Sequence, residues 1–176
     1  NHAPSANSQS VPFSEDTPKA TNPPGSDIES PFNLTFNVTQ PPANGTLNKT
    51  TASSGSPAII YTPNPGYNGP DSFAFTATDR GDPDGCGSPV PNVCSAALIS
   101  APATVSITVA AFNNPPNAGA DVLSSVAEDS GNRSISISTL LANDTPGVNE
   151  AGQSLTLTEV GNAAGGTVNI QGSNVV

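Results

Sequence analysis

Apolar and polar residues alternate along much of the first two thirds of the chain. Every second side chain is apolar in residues 33–39, 72–75 and 104–109. In a strand, this period buries one face and leaves the other in water. Clusters of Pro, Asn and Gly lie between the alternating runs, as in YTPNPGYNGPDSFAFTATD from Tyr61 to Asp79. The pattern predicts seven short strands, at residues 8–13, 19–22, 33–39, 45–48, 58–62, 72–78 and 103–111.

Strands of this number and length, separated by turns, are typical of an immunoglobulin-like β-sandwich, so we predict an all-β fold. Only residues 138–143 favour a helical turn. Pro63 and Pro65 cannot donate ladder hydrogen bonds and are expected to end the strand before them. We expect Tyr67 to close one end of the sandwich with its hydroxyl bonded to backbone, as in a tyrosine corner.

The chain also repeats itself. Four ordered segments match at offsets that drift from 112 to 121 residues, which indicates a tandem duplication. The matched segments are 1–6 with 113–118, 15–16 with 128–129, 34–36 with 155–157, and 44–48 with 165–169. We therefore predict a complete sandwich repeat at 1–112 and a second repeat at 113–176 that lacks its C-terminal strands.

The second copy has no counterpart of the segment from Tyr61 to Asp79 or of the final strand. Two explanations are open at this stage. Either the sequence is an excised part of a longer chain, or another chain supplies the missing strands by β-addition.

Composition limits the possible partners. The chain has 4 basic and 14 acidic residues, so it cannot neutralise many phosphates and is not expected to bind nucleic acid. Carboxylates and Asn carbonyls are ligands that calcium prefers, although a net charge of −10 also serves solubility alone. With only 5% aromatic residues, the core must be thin. The 19 Pro and 16 Gly residues approach the proportion found in disordered chains, but the regular alternation between turn clusters argues against disorder.

Cys86 and Cys94 are the two cysteines, eight positions apart in a polar stretch. We interpret them as a disulfide that closes a loop, which predicts an extracellular or cell-surface location. No run of about 20 apolar residues occurs, so no membrane insertion is expected in this segment, and its residues do not predict a signal peptide.

Catalysis finds little support in the sequence. The single histidine, His2, lies in a Pro-containing leader where nothing holds it against a partner. Carboxylate pairs such as Glu15 with Asp16, or Asp82 with Asp84, have no aromatic platform for a sugar beside them. The protein is therefore predicted not to be an enzyme.

The chain resembles the long bacterial surface proteins that are built of tandem cadherin-like or immunoglobulin-like repeats of about 95 residues. Such repeats open with an Asn-x-x-Pro leader and a Glu-Asp-Thr turn, carry Gly-Thr-Leu, and close on a Tyr-Thr-Pro segment that ends in Thr-Asp. The first copy has these motifs at 1–4, 15–17, 45–47 and 61–79. The second copy has Leu-Leu-Ala-Asn-Asp-Thr at 140–145, which is similar to a known variant.

The resemblance implies calcium at the repeat junction. Carried over by position, it nominates five ligands: Glu15, Asp79, Asn113, Asn114 and Asp144. The linker reads Asn-Asn-Pro-Pro and carries fewer carboxylates than cadherin linkers do. The alternative for each acidic loop residue is a solvated side chain with no ligand.

The leading hypothesis is a non-enzymatic extracellular structural or adhesion module, a spacer or adhesin segment that calcium rigidifies. Its partners would be neighbouring repeats of the same protein or like subunits, with cell-surface or matrix glycans or proteins as adhesion targets. One alternative is a filament subunit whose second repeat is completed by a neighbour's strand. Another is a carbohydrate-binding module, against which the absence of Trp argues.

Overall fold

The computed structural model describes residues 1–29, 32–54, 58–86, 91 and 93–176, and the chain forms two compact units, Asn1–Phe112 and Asn113–Val176. Within these ranges the first unit forms ten strands and the second forms three strands and one helical turn. The first unit contains β1 (Ser5–Ala6), β2 (Gln9–Ser14), β3 (Lys19–Thr21), β4 (Gly25–Ser26), β5 (Thr35–Gln40), β6 (Gly45–Leu47), β7 (Thr51–Ser53), β8 (Ile59–Pro63), β9 (Gly69–Thr78) and β10 (Ala103–Ala110). The second contains β11 (Ile135–Ser136), α1 (Ile137–Leu140), β12 (Ile170–Gln171) and β13 (Asn174–Val175).

Two sheets build the sandwich of the first unit. One has five strands in the order β2-β10-β9-β5-β7, and the other has three in the order β3-β8-β6. A short β1–β4 pair lies beside them. β10 is antiparallel to β9 and parallel to β2, so the first long strand and the last strand of the unit run side by side in the same direction. The prediction of an all-β, immunoglobulin-like sandwich is confirmed.

The core comes from the alternating runs. β10 alternates buried and exposed residues without a break, and its buried side chains pack with Phe73 and Phe75 of β9. Phe13 and Tyr61, from the two different sheets, meet edge to face with ring centroids 5.0 Å apart. Each fully buried side chain of this size stabilises the fold by about 1.5–3 kcal/mol. A thin core of aliphatic and Phe or Tyr side chains thus closes the sandwich.

All seven predicted strands are present, with ends that differ by up to three residues. The additional strands β1, β4 and β7 are only two or three residues long and show no alternation. Pro63 is the last residue of β8, and Pro12 lies in β2 at the edge of its sheet, where a missing N–H is tolerated. The helical turn α1 overlaps the residues predicted to be helical.

The second unit repeats a turn of the first. In the first unit, Thr17 N donates to Ser14 O at 3.4 Å. The residues 113 positions later form the same bond, in which Ser130 N donates to Ala127 O at 3.2 Å. The residue inside each turn is an aspartate with positive φ, 56° at position 16 and 58° at position 129. Aspartate tolerates this left-handed conformation better than most residues do.

The second unit also repeats the smaller sheet. β11-β13-β12 has the same strand order and the same antiparallel directions as β3-β8-β6. Asn48 N donates to Ile60 O at 3.1 Å, and Asn169 N donates to Val176 O at 2.8 Å. Val175, which is 5% exposed, therefore occupies the place of Ile59, which is fully buried.

The larger sheet has no counterpart in residues 113–176, all of which the structure describes. In the first unit β2 pairs with β10 alone, at the edge of that sheet. Residues 122–127 correspond to β2 at an offset of 113 and form no strand. Val122 is 98% exposed and Val126 is 59% exposed. The second unit thus has the smaller sheet and an unpaired segment where the larger sheet would begin.

Candidate functional site

Asp79 directly follows β9 and is only 4% exposed. Its Oδ1 accepts hydrogen bonds from Gly81 N at 2.9 Å and from Leu98 N at 2.8 Å. Its Oδ2 is buried without a hydrogen-bond partner. A buried carboxylate oxygen with no donor is costly, so a ligand that satisfied it would stabilise the unit.

The turn after Asp79 is fastened in two ways. Asp82 and Ser95 exchange backbone hydrogen bonds of 3.3 and 2.8 Å. Cys86 and Cys94 form a disulfide with their Cα atoms 5.8 Å apart. Gly81 has φ +81°, and a Cβ there would overlap the carbonyl oxygen of Ser95. The loop that contains the predicted disulfide therefore lies at the same end of the unit as Asp79.

Glu15 lies at the opposite end of the first unit. It directly follows β2, is 5% exposed, and its Oε2 accepts a hydrogen bond from Phe112 N at 3.1 Å. Since β2 is parallel to β10 and β10 is antiparallel to β9, the end of β2 and the start of β9 lie at the same end of the sheet. The ten residues of β9 separate Glu15 from Asp79. The structure does not bring these two nominated ligands together.

The other three nominated ligands belong to the second unit. Asn113 Oδ1 accepts from Gln153 Nε2 at 3.0 Å, and Asn114 N donates to Glu150 Oε1 at 2.9 Å. Asp144 Oδ1 accepts from Gly119 N at 2.7 Å. Each residue is thus already used in a hydrogen bond within its own unit.

Glu29 is a further carboxylate of interest that was not nominated from the sequence. Its Oε1 contacts His2 Nδ1, and its Oε2 is buried without a hydrogen-bond partner. The hydrogen bond from His2 is the main reason why the pKa of Glu29 lies below its usual value of 4.5. The internal repeat could have identified Glu29 from the sequence. Glu150 lies 121 residues further along, which is the offset of the later matched segments, so the two glutamates are repeat counterparts.

Asp71 and Tyr61 form a polar group with several hydrogen bonds in the first unit. The buried Tyr61 hydroxyl donates to Asp71 Oδ2 at 2.8 Å and lies 3.3 Å from Asn44 O. Asp71 also accepts from the backbone N–H groups of Ala43, Asn44 and Ser72. Burial, and then the bond to Asp71, raise the pKa of Tyr61 far above its ordinary value. Tyr67 donates its hydroxyl to Pro70 O at 2.6 Å, which is the backbone bond expected of it.

Across the ranges that the structure describes, no three His, Cys, Asp or Glu side chains lie together as a metal-binding group. Of the five nominated residues, Asp79 has the clearest unfilled ligand position, because its buried Oδ2 has no hydrogen-bond partner.

The fold and its polar groups define a β-sandwich module of the immunoglobulin type. Residues 1–86 match the family model described as "Bacterial Ig domain". The match lies within the first unit, and the prediction of a bacterial immunoglobulin-like repeat protein is confirmed. Comparison with curated proteins found no match, and comparison with solved structures found none either.

Bacterial Ig domains are in general non-enzymatic structural modules, typically found outside the cell or on its surface. Among the helices of the described residues, none is long and apolar enough to cross a membrane.

Proposed function

We propose that the protein is a non-enzymatic extracellular spacer or adhesin segment, in which sandwich units follow one another along the chain. The observation that carries this proposal is the recurrence of the same turn and the same small sheet in both units. Tandem modules of this kind extend a binding surface away from the cell, and the neighbouring repeats are their first partners. An antibody against the first unit should label intact producing cells. Labelling only after permeabilisation would contradict the surface location.

Calcium binding, centred on Asp79, is the second part of the proposal. The supporting observation is the buried Asp79 Oδ2, which makes no hydrogen bond. Calcium takes six to eight oxygen ligands, and carbonyl oxygens and water would supply the rest. When bound, the ion would satisfy this oxygen and stiffen the disulfide-closed loop beside it.

The test compares thermal unfolding of the full chain in calcium and in chelator. With calcium at about 100 times Kd, binding adds about 2.7 kcal/mol of stability, which corresponds to roughly 11–18 °C in the Tm of the first unit. Asp79→Asn should abolish the calcium-dependent part of this rise. Asp121→Asn, at an exposed position of the second unit, is the matched charge control and should leave it unchanged. Equal Tm values of the wild type in calcium and in chelator would refute the proposal of calcium binding.

A second candidate function is a filament subunit, and one observation favours it. Residues 122–127 correspond to an edge strand but pair with no other strand, and Val122 is 98% exposed. An unpaired apolar segment of this type is a template for pairing with another chain. In this role, a strand from a neighbouring subunit would complete the larger sheet of the second unit.

Light scattering coupled to size-exclusion chromatography tests this candidate. A filament subunit should show a mass well above 17.5 kDa that grows with concentration in calcium and in chelator alike. Val122→Lys should reduce the association, whereas Val148→Lys, also at an exposed valine of the second unit, should not. A monomer at every concentration would rule the candidate out.

A further inference from the structure

The segment that connects the two units is held by two carboxylates. Glu15 Oε2 accepts a hydrogen bond from Phe112 N at 3.1 Å, within the first unit. Glu150 Oε1 accepts one from Asn114 N at 2.9 Å, within the second unit. Both bonds join an ionisable oxygen to a backbone amide, and such charge-assisted bonds are stronger than bonds between neutral groups. We call Glu15 and Glu150 the anchoring carboxylates.

Neighbouring contacts support each anchor. Glu15 N donates to Ala110 O at 2.9 Å, which continues the β2–β10 pairing up to the anchor. On the other side, Asn114 Nδ2 donates to Val148 O at 2.9 Å. A Cβ at Gly147 would overlap the backbone and Cβ of Asn114, so a glycine is needed for this close approach. The amide of Asn114 is therefore held by a formed loop and not by a single side chain.

The second anchor recurs within the molecule. In the first unit, Glu29 contacts the side chain of His2. His2 and Asn114 are equivalent leader positions, since 114 − 2 = 112, and Glu29 and Glu150 are equivalent loop positions, since 150 − 29 = 121. These are the offsets of the early and late matched segments. The same loop glutamate thus contacts the second leader residue in both units, through a side chain in one and through the backbone in the other.

We propose that the anchoring carboxylates fasten residues 112–114 directly to their own units, so that the connecting segment is ordered without a metal ion. Phe112 becomes a continuation of the first unit, and Asn114 becomes part of the second. This proposal does not depend on calcium binding at Asp79, because neither anchor uses that residue.

Amide hydrogen exchange of the full chain tests it, read at Phe112 and Asn114 in calcium and in chelator. Glu150→Ala should speed exchange at Asn114 by about tenfold or more, as expected for loss of a hydrogen bond to a charged group. Glu15→Ala should do the same at Phe112. The controls remove the same charge at exposed positions, with Glu128→Ala at the repeat equivalent of Glu15 and Glu159→Ala within the second unit.

The expected result is local: each anchor variant changes its own amide, the controls change neither, and chelator has no effect in the wild type. A global loss of folding would instead raise exchange throughout β9 and β10, so those amides serve as the internal reference. Gly147→Ala gives a second route, because it disturbs the approach of Asn114 while keeping Glu150. The proposal is overturned if wild-type Asn114 exchanges at its unprotected rate, or if its protection appears only with calcium.

Discussion

Tyr61→Phe is the sharpest test of the polar group inside the first unit. The substitution removes the hydroxyl that donates to Asp71 Oδ2 at 2.8 Å and leaves the buried ring in place. A hydrogen bond to a charged group contributes about 1.5–3 kcal/mol. Asp71 keeps the donors of Ala43, Asn44 and Ser72, so no bare carboxylate remains. We therefore expect the lower end, about 1.5 kcal/mol, or a Tm lower by roughly 6–10 °C.

Far-UV circular dichroism in urea and on heating is the suitable assay, because the chain has no Trp and the substitution removes one of its two Tyr residues. Tyr67→Phe is the matched control. Its hydroxyl donates to the neutral carbonyl oxygen of Pro70, so its loss should cost only about 0.5–1 kcal/mol. A stability of Tyr61→Phe within about 0.5 kcal/mol of the wild type, or an equal loss in Tyr67→Phe, would contradict the hydrogen bond from Tyr61 to a charged Asp71.

The raised pKa of Tyr61 predicts that stability depends on pH, and the same two variants can test this. The pKa of Tyr61 is raised in the folded protein above its ordinary value of 10. As pH rises, the unfolded chain therefore releases the Tyr61 proton before the folded protein does. The stability associated with the raised pKa is fully present below pH 10 and is lost as pH rises above 10. Tyr61→Phe should flatten this alkaline decline, and an equally steep decline in the variant would contradict the assignment.

Three further perturbations probe other parts of the molecule. Gly45→Ala would place a Cβ against the ring of the buried tyrosine just described, and it should destabilise the first unit by about 1–3 kcal/mol in urea unfolding. His2→Ala should raise the pKa of Glu29 towards 4.5, as measured by carboxyl NMR titration, because the hydrogen bond from His2 lowers it and stabilises the charged form above that pKa. Replacing Cys86 and Cys94 together by Ser should cost roughly 2–3 kcal/mol through loop entropy.

Each of these has a control or a contrary result. Gly152→Ala meets no atom within 4 Å and should leave stability unchanged. A Glu29 midpoint at or above 4.5 in the wild type would mean that the contact with His2 is not formed in solution. Reduction of the wild type by dithiothreitol should reproduce the double Cys variant, and an unchanged Tm after reduction would show that the disulfide does not constrain the unfolded chain.

The strands could be predicted where side chains alternate. β10 and the second half of β9 combine alternation with flanking turn clusters, and both were found from the sequence. β1, β4 and β7 are two or three residues long, too short to show any period. They form because tertiary pairing supplies their hydrogen bonds, as Ser5 and Ala6 pair with Ser26 and Gly25. The local sequence pattern does not indicate which distant segment such a short strand pairs with.

The candidate site was predictable residue by residue but not as an arrangement. Glu15 and Asp79 were both identified, and both are buried carboxylates next to strand ends. Their separation depends on strand direction, since β2 runs parallel to β10 and antiparallel to β9, and neither composition nor spacing specifies that choice. The repeat relates Glu29 to Glu150 at an offset of 121, but it does not indicate their partners, because a backbone donor leaves no trace in the sequence.

The parallel pairing of β2 with β10 has a mechanical consequence. Six consecutive residues, from Gln9 with Val105 to Ser14 with Ala110, join the first long strand of the unit to its last. If tension pulls the two ends of the unit apart, it slides these strands along each other, so that the hydrogen bonds carry the load together and must break together. A hairpin opened from one end would lose them one at a time at a much lower force. The first unit is thus joined across its own termini by a parallel pairing that tension loads in shear.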